Sequence, residues 1–282
     1  MVEKRFRFFV WLYMALFFVA VILIVLNVLP LRLTEIHALF FIVSGVFAVI
    51  FLILQYGKGL GSAITILIFA VSTSIEWMQT SLTNAGQQND VTTDFGLVIN
   101  GIPVAFGFIW LVLIVGTHVI SREITLKIKI DWIRGGIYAI IAATMVMVFE
   151  MLIEPVAMQV KQSALDSPTL TIIQMTDAAN WWTLGLILHL MIYFMLSLTD
   201  QWGKLHFPTL KSELVLVYWI VLSFFLVLGY FMGLWSILLV TLIGNILFTV
   251  CYYLSLESDT KKKNCCMSVI AAVFFVIKYF LY

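Results

Sequence analysis

Unbroken runs of about twenty apolar residues, repeated from one end of the chain to the other, decide what this protein can be. Such a run cannot serve as a surface helix or strand of a soluble domain, which shows polar residues at a period of 3.6 or 2. The runs fall at about 8–28, 36–56, 60–79, 98–119, 134–154, 182–199, 213–231, 234–254 and 267–282. Backbone polar groups in hydrocarbon must be satisfied within their own segment, so each run reads as an α-helix. Membrane-barrel strands alternate in polarity, and these runs do not. The expected fold is an all-α, polytopic helix bundle with eight or nine spans, the last run being short enough to be a half-span.

Composition agrees. Hydrophobic residues make up 63% of the 282 and charged residues only 11%, against roughly 25% charged in a soluble domain. Charge placement supports the same layout. With the N-terminus in the cytoplasm and strict alternation, thirteen basic residues fall inside, Lys4, Arg122, Arg134 and Lys261 among them, and three (Arg32, Lys161 and Lys278) fall outside. That bias is the one expected of a multi-pass protein of the cell membrane. Lys4, Arg5 and Arg7 before the first run resemble the opening of a signal peptide, but the run is too long and no small-residue cleavage site closes it, so it reads as a retained helix. No linker divides the chain, which reads as a single membrane domain over 1–282.

Several function classes are excluded or left without a signal. A net charge of +1 with no basic stripe gives no footprint for nucleic acid. Cys251, Cys265 and Cys266 have neither metal-ligand spacing nor the number for a disulfide framework. HExxH, CxxC and Walker A patterns do not occur, and neither a metal nor a cofactor is expected.

Ionisable residues inside spans are costly and are functional candidates by default. Glu76 lies one turn before the outer end of the third run; Glu150 and Glu154 lie at the outer end of the fifth. Glu150 and Glu154 are spaced i, i+4 and share one helix face. Like charge, apolar surroundings and a helix C-terminus all act against ionising both. Pro155 has no amide hydrogen, so the Met151 carbonyl loses its helical donor. The expectation is that one of these carboxyls keeps its proton near neutral pH, as a general acid must. Convergence of Glu76 with the pair is expected from the shared outer depth.

Other candidates carry plainer alternatives. His189, about eight residues into the sixth run, is a proton partner or a packed imidazole bonded to a carbonyl. His118 reads as interfacial, and Asn245 as interhelical glue. Trp181 and Trp182, after Asp177 and Asn180, suit an aromatic belt with a helix cap, or the lining of a polyene or carbocation site. Asn100 and Pro103 suit the cap and first turn of the fourth helix, which also carries Trp110.

Glu76-Trp77, then Gly101-Ile102-Pro103 with Trp110, then Glu154-Pro155-Val156-Ala157, then Trp181-Trp182 together resemble the membrane-bound carotenoid biosynthesis proteins. That family includes carotenoid 1,2-hydratases of the bisanhydrobacterioruberin hydratase type. The resemblance covers about residues 70–200 and departs from the family pattern at 80–86 and 188–193. It implies acid-catalysed hydration of a terminal C=C in a carotenoid or other isoprenoid that enters from the bilayer. Glu76, Glu150, Glu154 and His189 would then be catalytic, Trp77, Trp110, Trp181, Trp182 and Asn100 would line the substrate, and other pathway enzymes would be partners. The competing readings are a small proton-coupled transporter, with the acids as coupling site, and a non-catalytic membrane partner protein.

Overall fold

A computed structural model describes residues 2–26, 28, 35–83, 97–99, 102–162 and 173–256. Among them the fold is all-α, with seven helices long and apolar enough to cross a membrane. These are α1 (Val2–Val25), α2 (Glu35–Thr83), α3 (Val104–Thr125), α4 (Asp131–Gln162), α5 (Ile173–Leu198), α6 (Lys211–Phe231) and α7 (Trp235–Leu256). The run at 267–282 lies outside the described residues.

The longest helix holds two of the expected spans. At 49 residues a straight α2 would reach roughly 70 Å, more than twice the hydrocarbon thickness. It is broken at Gly57, whose φ of 80° and ψ of 167° are not helical. The chain bends back sharply there. A methyl group placed on Gly61 would lie 2.5 Å from the Leu52 carbonyl oxygen and 2.7 Å from the Ile53 Cα. Gly57 supplies the positive φ and Gly61 the close backbone approach, two things only glycine does cheaply.

Three boundaries differ from the sequence reading. The fourth run does not open a helix at Asn100. Val98–Ile99 (β1) pairs antiparallel with Ile102–Pro103 (β2), and α3 starts only at Val104. Pro103 disfavours helix in the residue before it, which pushes the start downstream. Asn-Gly between apolar pairs is a hairpin signal in its own right; Asn100 and Gly101 themselves lie outside the described residues. Next, α4 does not stop at Pro155 but runs on to Gln162, since proline removes one bond without barring helical geometry after it. Finally, α5 begins at Ile173, well ahead of the apolar run; helix formation does not require an apolar residue at each position.

The chain packs as two compact units. Among the described residues the first comprises those within 2–116, 158–162 and 204–228. In α1 the buried residues Phe6, Val10, Tyr13, Phe17 and Ile24 form one stripe, and most of the other residues are exposed. The stripe meets aromatic residues: Phe6 lies edge-on to Phe47 at 5.7 Å, and Tyr13 stacks on Phe40 at 5.3 Å. The Tyr13 and Ser44 hydroxyls bond one another. Phe41 and Phe225 stack at 5.4 Å. Glycines act as notches for large rings, with Gly45 against Phe108 and Gly116 against Tyr218. Further polar contacts involve Arg7 and Gln55. Arg7 pairs with Glu213 at 2.6 Å. The buried Gln55 donates to the Phe207 carbonyl at 2.6 Å and accepts from the Phe207 amide at 3.1 Å.

Among the described residues the second unit comprises 117–157, 173–203 and 229–256. Its centre is α4, whose residues from Tyr138 to Phe149 are almost all buried. Gly185 of α5 packs on Val146 and Ala143, and Gly244 of α7 packs on Val148. The Thr241 hydroxyl donates across to the Val148 carbonyl at 3.0 Å. Thr241 thus bonds across to α4, and Asn245 Nδ2 donates to the Thr241 carbonyl within its own helix at 2.9 Å.

Candidate functional site

In the first unit, α2 and α3 bring Glu76 and Trp110 together. The Trp110 indole N–H donates to Glu76 Oε1 at 3.4 Å, a long bond for this donor type. Trp110 is buried and Glu76 half-buried. Trp77 is 49% exposed and presents its ring at the surface of the unit. Asn100 lies outside the described residues.

In the second unit, Glu150 and Glu154 project from α4. Glu150 is 5% exposed and Glu154 half-buried. The residues around Glu150 on its helix, Phe149 and Leu152 above all, are buried and apolar. Pro155 sits inside α4, so the Met151 carbonyl has no helical N–H to accept from. One helix face thus offers a buried carboxyl, a second carboxyl one turn on towards water, and a backbone carbonyl short of a donor. Trp181 is buried at 5% exposure, while Trp182 is half-buried and donates from Nε1 to the Thr144 hydroxyl at 3.3 Å. The expected carboxyls are therefore distributed over both units, Glu76 in one and the Glu150/Glu154 pair in the other.

His189 is fully buried. Its Nδ1 lies 2.6 Å from the Gly185 carbonyl oxygen and its Nε2 3.1 Å from the Thr117 hydroxyl. A carbonyl only accepts, so Nδ1 carries the hydrogen and a neutral ring takes the Thr117 hydrogen at Nε2. This is the packed imidazole bonded to a carbonyl, and it leaves Nε2 as the basic atom.

Sequence reasoning missed a denser group in the same unit. His118 is buried rather than interfacial, and its Nδ1 lies 2.7 Å from the Tyr138 hydroxyl. Arg122 and Glu123, 3% and 8% exposed, pair at 3.0 Å. Arg122 also donates to the Trp202 carbonyl, at 3.0 Å from Nε and again from Nη2. The guanidinium groups of Arg122 and Arg134 lie 5.7 and 5.8 Å from the Trp202 ring centre. Asp200, at φ 53°, ends α5 and turns Trp202 inward. The sequence hid this group because the fourth run appeared to end at 119, leaving Arg122 and Glu123 as loop charges. The helix runs to Thr125.

Among the described residues no three His, Cys, Asp or Glu side chains gather as metal ligands. No known protein family, no curated protein and no solved structure matches the chain.

Proposed function

We propose that the chain is a multi-pass enzyme of the cell membrane that adds water across a terminal C=C of an apolar isoprenoid, a carotenoid being the type case. With α2 counted as two passes about Gly57, the described helices make eight crossings and the N-terminus lies in the cytoplasm. A ninth crossing would fall at 267–282.

The observation that carries the reading is the buried Glu150 with Glu154 one turn beyond it on the same helix face. A protonated Glu150 gives its hydrogen to the CH carbon of the terminal, trisubstituted alkene. A C–H bond forms, the π bond breaks and a tertiary cation remains. Glu154, nearer water, orients a water molecule; its oxygen bonds to the cation and its surplus proton returns by way of Glu154 to the Glu150 carboxylate. The sum is one water added, with no redox change. The Glu-Pro-Val-Ala and Trp-Trp stretches that resemble carotenoid hydratases support the substrate class.

The test is mass spectrometry of pigments and lipids from a deletion strain complemented with variants. Glu150→Gln and Glu154→Gln, both inserted in the membrane, should accumulate a precursor lighter than the normal product by one water. Normal product from both variants removes the mechanism. Glu76→Gln, run alongside, decides whether the first unit takes part.

A second reading has an observation of its own. The Arg122–Glu123 pair with His118, Tyr138 and His189 is a buried polar group of the kind found on proton routes. It favours a proton-coupled transporter, in which proteoliposomes carrying a pH gradient would move an apolar or amphipathic solute with no covalent change.

A further inference from the structure

The register of α4 against α5 has a consequence for Glu150. Contacts between these helices run in opposite directions along the two sequences. The Tyr193 hydroxyl donates to the Asp131 carbonyl at 2.7 Å, and the Tyr193 ring lies over Gly135. Further along, Tyr138 meets His189 with ring centres 5.6 Å apart. Gly185 then sits on Ala143 and Val146, with 3.2 Å from an added Cβ to the Val146 Cβ. Trp182 reaches Thr144. As α4 numbers rise, α5 numbers fall, so the pair is antiparallel.

One helical turn beyond the Val146–Gly185 contact, four residues up α4 is Glu150 and four residues back along α5 is Trp181. Both are 5% exposed, and each is engaged by a neighbour. We propose that Trp181 is the positioning residue for Glu150, its buried indole set against the buried carboxyl by the α4–α5 register. The juxtaposition stands on geometry alone; its catalytic meaning rests on the hydration reading above.

The chemistry follows from the indole. Its N–H is donor only. Bonded to the carbonyl oxygen of a protonated Glu150, it leaves the acidic O–H turned outward to an alkene. Once the proton has gone, the same N–H stabilises the carboxylate. The ring face beside it is an electron-rich wall for a cation. A tryptophan that only filled space would do none of this, and phenylalanine would replace it well.

Disulfide trapping in native membranes tests the juxtaposition. With Cys251, Cys265 and Cys266 replaced by serine, Glu150→Cys/Trp181→Cys should link under mild oxidation. Val146→Cys/Gly185→Cys, whose Cβ spacing is close to that of a disulfide, is the positive control. A linked control beside an unlinked test pair overturns the proposal. Infrared spectroscopy gives a second arm on the full chain. The carboxyl C=O band lost in Glu150→Gln should move in Trp181→Phe, and a band that stays put also overturns it. On product formation, Trp181→Phe should lower kcat roughly tenfold to a hundredfold with KM nearly unchanged, the loss of one N–H bond to a charged group. A purely space-filling Trp181 would leave kcat intact. If the disulfide forms and the band moves while Glu150→Gln still yields hydrated product, the pair stands and the hydration reading falls.

Discussion

The two units bury different things. The first fills its interior mainly with rings, Phe41, Phe51, Phe225 and Tyr218 among them, beside a single buried histidine, His37, and its ion pair joins a 46% exposed Arg7 to a Glu213 of 11%. The second buries an arginine–glutamate pair at 3% and 8%, two histidines and Glu150. Aromatic packing needs no compensation beyond shape, whereas each buried charge or imidazole must be matched by a partner or it destabilises the fold. On the proposed hydration reading, the first unit serves as scaffold and the second handles protons, a division that the variants of each unit can break.

The largest effect belongs to the ion pairs. Arg122→Met leaves Glu123 buried without its cation and removes the donors to the Trp202 carbonyl. The expected loss is about 3–5 kcal/mol, seen as a markedly lower thermal midpoint in detergent micelles. Arg7→Met breaks a pair in which Arg7 is 46% exposed but Glu213 only 11%, and the expected loss is smaller, about 1–3 kcal/mol. Equal effects would mean that the two units do not differ in how they carry charge.

Next come two glycines in the first unit. Gly57→Ala meets no atom within 4 Å, so its cost is backbone strain alone, in the region near φ 80°, ψ 167° that essentially only glycine adopts, about 1–3 kcal/mol. Gly59→Ala also meets nothing, has no positive φ, and lies in helix. It should be neutral or stabilising by up to about 1 kcal/mol. Denaturation in graded detergent mixtures separates the two. A harmless Gly57→Ala would show that the break in α2 is not held by this residue.

The helical, membrane-crossing character was legible because hydrocarbon leaves the backbone no alternative, so even the short run at 60–79 was found as a helix. What escaped was set by tertiary contact or by chain geometry. The turn between 36–56 and 60–79 was placed correctly, but nothing in the sequence singles out Gly57 over Gly59 or Gly61. The Asn-Gly signal at 100–101 was legible and was read as a cap because an apolar run followed it. Arg122 and Glu123 looked like loop charges because hydropathy cannot tell a helix that leaves the membrane from one whose charges are satisfied within the protein. At the candidate site, the Glu150/Glu154 spacing was fully present in the sequence. The alignment of Trp181 with Glu150 was not, because register between helices depends on which small residues, here Gly185, let them approach.

The smallest expected effect is the sharpest test of the division. Trp110→Phe keeps a buried ring between α2 and α3 and deletes only the N–H that reaches Glu76 at 3.4 Å. At that length the bond contributes about 0.5 kcal/mol or less, and Glu76, being half-buried, can turn to water instead. Stability should therefore barely change. Turnover should hold as well if the Glu150/Glu154 pair supplies both acid and base, since no step then passes through Glu76. The informative failure is a variant that folds and inserts normally but loses product by tenfold or more, a difference of about 1.4 kcal/mol in the barrier. So large a loss from so weak a ground-state bond means that the contact tightens as the reaction proceeds. The chemistry would then have to include the first unit, and its aromatic interior could no longer be regarded as scaffold.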